Sequence, residues 1–236
     1  MDTTASTNEY ARRLTGGAGS ELTLITAEYQ EAGRGAGTNS WESERGKNLL
    51  FSLVAFPSHL PASHVFALSE VTALAIRDAL GSYVPQCLIK WPNDVYVGDG
   101  KAVGMLIEND LRGKSVRRSI IGVGVNVNQT VFRSDAPNPV SLAQLLGREE
   151  DRSQVLERIV QQLIHYYGML EEGQYAALHG LYLQHLYRWE EPHDYADANG
   201  TFRASIIDVE PSGHLVLELG NGERRRYAFK EVRFEH

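Results

Sequence analysis

The chain has 236 residues, of which 42% are apolar, 9% aromatic and 22% charged. That composition supports one large globular domain, or a large one and a small one, and excludes a disordered or peptide-sized scaffold. The 23 Lys and Arg against 30 Asp and Glu leave a net charge of −7, which repels a phosphate backbone and argues against nucleic acid as a partner.

Apolar runs such as Leu49 to Phe56 fall far short of the roughly 20 residues that span a bilayer. The start Met1-Asp2-Thr3-Thr4 lacks a secretory pattern, so a cytoplasmic chain without a membrane segment is expected. Ser6 and Glu9 have capping-box spacing, which predicts a short helix with Tyr10 and Leu14 facing the core. Leu22 to Tyr29 and Leu49 to Phe56 read as strands, separated by a loop holding Gly33, Gly35 and Gly37. From Pro61 to about Leu80, Val65, Leu68, Val71, Leu74 or Ala75, and Ala79 recur at helical spacing.

Further strands are expected over Cys87 to Lys90, Val95 to Val97, Ala102 to Glu108 and Ser119 to Val127. Helices follow near Ser141, boxed with Gln144, near Ser153, with Val155, Ile159, Leu163 and Leu170 on one face, and over Tyr175 to Leu186. After Glu190-Glu191-Pro192 the pattern changes to the short strands Phe202 to Val209, Leu215 to Leu219 and Arg224 to Phe229, which suit a small β-barrel. The single cysteine, Cys87, lies among apolar residues and reads as a core side chain. The histidines are scattered and no His-Glu-x-x-His pattern is present, so a structural or catalytic zinc is not expected.

Three glycine-bearing segments carry the functional signal. Gly33-Arg34-Gly35-Ala36-Gly37-Thr38 has threonine where a dinucleotide fingerprint needs glycine, and Gly100-Lys101-Ala102 lacks the P-loop's earlier glycine and its Ser or Thr. Gly122-Val123-Gly124-Val125-Asn126 falls within a strand, where glycine often marks the close approach of a ligand. With the cations and amide of Lys90-Trp91-Pro92-Asn93-Asp94 and Lys101, these segments could hold an anion or offset charge developing in acyl or phosphoryl transfer.

Ser6-Thr7-Asn8, Glu28-Tyr29-Gln30, Gly33-Arg34-Gly35 with Trp41, Lys90-Trp91-Pro92-Asn93-Asp94, Gly100-Lys101-Ala102-Val103-Gly104 and Gly122-Val123-Gly124-Val125-Asn126 together resemble the biotin–protein ligase family in order and spacing. Tyr227-Ala228-Phe229-Lys230-Glu231-Val232 looks like that family's carboxy-terminal segment. The resemblance implies an α/β (α+β) fold with a mixed β-sheet and helices on one face over residues 1–188, then an SH3-like barrel over 189–236. It also implies activation of biotin by ATP, with Mg2+, as biotinyl-5'-AMP. Transfer to a lysine of a carboxylase's biotin carboxyl carrier domain follows.

On this resemblance Lys101, Arg34 and Asp94 are the catalytic candidates. Lys101 neutralises charge shared by the biotin carboxylate and the α-phosphate, and Arg34 orders the loop over them. Asp94 either fixes its turn or accepts the proton of the acceptor lysine, which is mostly cationic at neutral pH. Ser6, Thr7, Gln30, Gly33, Gly104 and Gly122 match substrate-side positions, and Trp41, Lys90, Asn93 and Asn126 nucleotide-side ones. Read by themselves, Lys101 is a solvated hairpin lysine, Ser6 a helix cap and Trp91 a partly buried core aromatic.

Two departures stand out. The loop after Arg34 reads Ala36, Gly37, Thr38, Asn39 and Ser40 where relatives usually carry further basic residues. Only five residues precede Ser6, so the DNA-binding unit and repressor activity of some relatives are not expected. A sheet face could pair two chains as a homodimer. The rival readings are a lipoate or octanoate ligase or transferase of the same architecture, and a module that binds biotin without turning it over.

Overall fold

A computed structural model describes residues 1–14, 22–134 and 137–235. In chain order the elements are β1 (Thr3–Thr4), α1 (Thr7–Arg12), β2 (Thr23–Ala27), β3 (Tyr29–Gln30), β4 (Leu49–Ala55), a 3-10 turn over Ala62–His64, and α2 (Ala67–Gly81). There follow β5 (Cys87–Lys90), β6 (Asp94–Val97), β7 (Gly100–Arg112), β8 (Ser115–Val125), α3 (Leu142–Leu146), α4 (Arg152–Glu171) and α5 (Tyr175–Gln184). The chain ends in β9 (Pro192–Asp197), β10 (Gly200–Val209), β11 (Leu215–Leu219), β12 (Arg224–Tyr227) and β13 (Arg233–Phe234).

The central sheet has six strands in the order β2-β4-β8-β7-β6-β5. Strand alternation decides what each face does. Phe51, Leu53 and Ala55 of β4, with Ile121, Val123 and Val125 of β8, join one large buried cluster with Leu68, Val71 and Leu74 of α2 and Val155, Ile159 and Leu163 of α4. The intervening residues, Ser52, Gly122 and Gly124, point the other way. There Ile25, Val54 and Ile120 form a small second cluster with Ala11 of α1. The larger helices thus occupy one face, while α1 covers only part of the opposite one.

Several expectations need correction. The sheet is not mixed: each of its ladders is antiparallel, and among the described residues the parallel pairs are β1 with β3 and a few isolated bridges such as Lys101 with Pro139. Helices are not restricted to one face, because α1 lies on the other. Ser6 takes the N-cap position of α1 but makes no side-chain cap bond, and Glu9 pairs with Arg13 at 2.8 Å instead. The helix foreseen from Pro61 is broken into the 3-10 turn and α2. By contrast, Ser141 and Gln144 do form a capping box, and Cys87 is buried, its thiol pushed up to about 12 by burial.

Strands β9 to β13 form a second, five-stranded antiparallel sheet in the order β12-β11-β10-β9-β13. It docks through the turn between β10 and β11, where the Gly213 carbonyl accepts from Trp91 Nε1 at 2.9 Å and the Pro211 carbonyl from the Phe66 amide at 3.3 Å. Trp91 is therefore a buried joint between the two sheets. His179 adds another, with Nδ1 2.8 Å from Glu70 Oε1 on α2 and Nε2 3.0 Å from Asp208 Oδ1 on β10. No helix among the described residues is long and apolar enough to cross a membrane.

Candidate active site

On the face that α1 leaves open lies a cavity of about 970 Å³. Its floor is the glycine row that alternation puts there: Gly104 on β7 directly opposite Gly124 on β8, with Gly122 farther along. There is no room at these positions for a side chain. A Cβ on Gly124 or Gly104 would overlap the Trp41 ring, and one on Gly122 would overlap the Asn8 amide. Trp41 thus lies flat on the sheet backbone, delivered by the loop from Gly33, whose carbonyl accepts from the Trp41 amide at 2.9 Å. Gly33 closes that loop but does not line the cavity.

At one end of the floor is a polar network. Gln30 Oε1 accepts from the Thr7 amide at 2.8 Å and faces the Thr7 hydroxyl at 3.0 Å. The Ser52 hydroxyl donates to Asn8 Oδ1 at 2.6 Å and lies 2.7 Å from the Thr7 hydroxyl. Asn8 Nδ2 donates to the Leu106 carbonyl and to Glu108 Oε2. Ser6, its hydroxyl not used in capping, borders the same space. Arg34 lies at the rim, 3.5 Å from Glu108 Oε1.

At the other end Lys101 Nζ is 2.7 Å from Asp94 Oδ1. Lys101 is no solvated turn lysine: it lies within β7, its side chain only 20% exposed. A bulge in β7 puts it there. Asp94 pairs with Gly104 and Val95 with Val103, but Tyr96 pairs with Lys101, so Ala102 is the extra residue. The skip brings Lys101 onto the face of Gly104, which strict alternation would deny it. Backbone partners secure the bulge: the Lys101 amide donates to the Asn138 carbonyl at 2.7 Å and the Asn126 amide to Ala102 at 2.9 Å.

Burial pushes the Asp94 carboxyl above its ordinary range, opposed by the Lys101 ammonium and more weakly by Lys90. Burial likewise lowers Lys90, against the pull of Asp94. Lys90 sits among rings, 4.4 Å from the centroid of Tyr96 and 5.2 Å from that of Phe234. Asn93 Nδ2 donates to the Met105 carbonyl and thereby ties the Lys90-to-Asp94 turn to β7. Asn126 donates to the Lys101 carbonyl at 3.3 Å. Its Oδ1 is buried without a partner among the described residues, as is Trp41 Nε1.

The arrangement offers a flat glycine floor, neutral donors and acceptors at one end, and cations with a high-lying carboxyl at the other. Such a site can hold a small apolar acid and stabilise negative charge forming on its carboxylate and on a phosphate. Among the described residues no cluster of His, Cys, Asp and Glu could hold a metal ion. Sequence reasoning passed over several lining residues: Asn8 and Gly124, although both stand inside quoted motifs, and Phe229, Lys230 and Phe234 of the second sheet. The Val-Gly-Val-Gly alternation carried the signal for Gly124. The resemblance of Tyr227 to Val232 to the family's carboxy-terminal segment was the one sequence signal for the wall from that turn, and it did not single out Phe229 or Lys230 as lining residues.

A model described as the biotin/lipoate A/B protein ligase family matches residues 2–126. The chain is 30% identical over 236 residues to the bifunctional ligase/repressor BirA of Bacillus subtilis, covering 96% of this chain and 71% of that protein. It is also 30% identical over 225 residues to the biotin–(acetyl-CoA-carboxylase) ligase of Paracoccus denitrificans, covering 91% of each. The solved biotin protein ligase of Aquifex aeolicus in complex with biotin and ATP shares the fold, with a TM-score of 0.80 at 23% identity, over 100% of this chain and 97% of that one. With its glycine-floored cavity and the family match over residues 2–126, the chain belongs to the biotin/lipoate A/B protein ligase family.

Proposed function

We propose that this chain activates biotin with ATP as biotinyl-adenylate and then passes the biotinyl group to a lysine of a biotin carboxyl carrier domain. The observation that carries the reading is the Lys101–Asp94 pair at 2.7 Å, set by the Ala102 bulge beside the glycine floor. A carboxylate lying along that floor meets Lys101, whose charge offsets the repulsion between it and the α-phosphate. The carboxylate oxygen bonds to the α-phosphorus and pyrophosphate leaves. In the second step an amine bonds to the acyl carbon and AMP leaves with the anhydride oxygen.

The acceptor lysine must lose its ammonium proton before it can attack. Asp94, raised by burial, is the group in the site best placed to take it. Ser6, Thr7, Gln30 and Asn8 form the polar end for the ring system of the acid. Asn126 Oδ1, buried and unpartnered, suits an exocyclic amine such as that of adenine, with Trp41 as a stacking surface. Arg34 and Lys90 supply positive potential at the two rims. In this reading residues 1–188 build the floor and catalytic ends of the site, and residues 189–236 form a separate unit that contributes wall.

Mg2+ would accompany the triphosphate rather than occupy a protein-built site. The nearby carboxylates are already engaged: Asp94 by Lys101, Glu42 by the amides of Arg133 and Ser134, and Glu108 by Arg12 and Arg34. With these carboxylates engaged, Mg2+ would be carried chiefly by the nucleotide, where it would offset phosphate charge.

The test is pyrophosphate release on mixing with ATP and biotin, lipoate or octanoate, followed by mass measurement of an added carrier domain. Biotin alone should support release and add one biotinyl group to the carrier. Release with lipoate or octanoate but none with biotin would overturn the assignment.

A further inference from the structure

The loop from Gly33 to Trp41 has one cation, Arg34, and its tip reads Ala36, Gly37, Thr38. That is little positive charge for a loop bordering a cavity read above as holding a mixed carboxylic–phosphoric anhydride. Arg34 is also shared with Glu108, which Arg12 holds as well. Across the cavity mouth, the turn after β12 is closed by the Glu231 amide to the Ala228 carbonyl at 3.1 Å and by the Ala228 amide to Glu231 Oε2 at 2.7 Å.

That turn holds Lys230 at φ +72, a left-handed conformation that suits glycine and is uncommon for a residue with a side chain. The side chain is aimed at the loop tip, where its ammonium lies so close to Gly37 that a Cβ there would overlap it. Gly37, itself at φ +69, provides both the turn and the space.

The other cations lining the cavity are engaged. Arg34 faces Glu108, Lys101 faces Asp94, and Arg233 is 3.7 Å from Glu235. Lys90 is boxed by Tyr96, Tyr187 and Phe234. Lys230, 5.7 Å from the centroid of the neighbouring Phe229 ring, has no carboxylate within ion-pair distance among the described residues, and it lines the cavity from the turn between β12 and β13.

We propose that Lys230 is the phosphate-holding cation at the tip of the glycine-rich loop: carried by the turn after β12, it clamps that tip, which has no basic residue, and retains the adenylate there. This rests on the reading of the site as an adenylate-forming one. It also gives the second sheet a direct part in the lifetime of the activated acid, since any motion that lifts the 228–231 turn removes the charge from the mouth.

The experiment follows dissociation of synthetic biotinyl-adenylate from the full-length wild type and from Lys230→Met, Lys230→Gly and Lys230→Arg, at low and high salt. Loss of one charge-assisted contact should speed release about tenfold in the Met and Gly variants. Arg should stay near wild type, and salt should narrow the difference. Lys230→Gly relieves the left-handed backbone, so its folding is the least endangered and its melting temperature serves as the control.

Wild-type release rates in Lys230→Met, or equal acceleration in Lys230→Arg, would overturn the assignment of Lys230. Pyrophosphate release by the wild type is read separately. If it fails while adenylate release still depends on the charge at 230, the enzymatic reading falls and Lys230 stands. If the wild type binds no adenylate at all, both fall.

Discussion

Lys101 meets Asp94 at 2.7 Å because Ala102 is an extra residue in β7, bulged out between the partners of Val95 and Tyr96. Ala102 itself turns into the core, fully buried, and the lysine before it is rotated onto the glycine face. A bulge that re-aims one side chain beside a site is a recurrent device. Here it converts the cation of a β-hairpin into a cavity residue whose charge is screened poorly by water.

Replacing Lys101 with Met should therefore cut biotin-dependent pyrophosphate release roughly 100- to 1,000-fold, the usual loss when one preorganised charge-stabilising donor is removed. It should also lower the melting temperature, because Asp94 loses the ammonium that opposes its desolvation. Wild-type release rates in a folded Lys101→Met variant would remove the residue from the mechanism.

Gly124→Ala tests the floor. Its methyl group would enter the Trp41 ring, and forcing an extra carbon into a packed site costs about 1–3 kcal/mol. The expected result is a displaced Trp41, seen as a change in tryptophan fluorescence, and weakened biotin binding. Combining it with Trp41→Ala should return most of the lost stability. If the double variant is as unstable as the sum of the single ones, the contact between ring and strand does not control the floor.

Many elements with a local signal were legible, although the Ser6–Glu9 box did not form, and those set by distant pairing were not. Gly122 and Gly124 alternate with Val123 and Val125, so the sequence alone marks a strand with one large-residue face and one bare face. Ser141 and Gln144 announce their capping box for the same reason, since both partners lie within one turn of helix. The bulge at Ala102 depends on backbone bonds to residues 126 and 138, which no window around Lys101 contains. Lys230 and Gly37 meet across most of the chain length, and the antiparallel order of the sheet is likewise set by long-range register.

His179 predicts a pH dependence of stability. Its hydrogen bond to Glu70, then the charge of Glu70 and the bond to Asp208, raise it above the ordinary histidine value of about 6.5 against the opposing effect of burial. A raised folded-state value means the stabilisation is fully present below the unfolded value and is lost as pH rises through the folded one. Melting temperatures should thus fall as pH rises from about 6.5 through the raised folded-state value, and His179→Ala should flatten this slope. An unchanged slope in the variant would show that the bridge between α2, α5 and β10 does not titrate with folding.

The last prediction concerns Ala36, the uncharged position at the tip of the glycine-rich loop. If Lys230 already supplies positive charge there, an arginine at 36 adds a second cation to the same small space, and mutual repulsion offsets part of its attraction for a phosphate. Ala36→Arg alone should then slow adenylate release by less than tenfold. In the Lys230→Met background the same substitution meets no competing cation, and one charge-assisted contact of about 1.5–3 kcal/mol corresponds to tenfold or more. The measurement is the dissociation rate of synthetic biotinyl-adenylate from the wild type, both single variants and the double variant. Non-additivity of this kind is expected when two residues serve one contact. Equal effects of Ala36→Arg in the two backgrounds would show that residues 36 and 230 act at separate places. No effect in either would show that a side chain at 36 does not reach the phosphate.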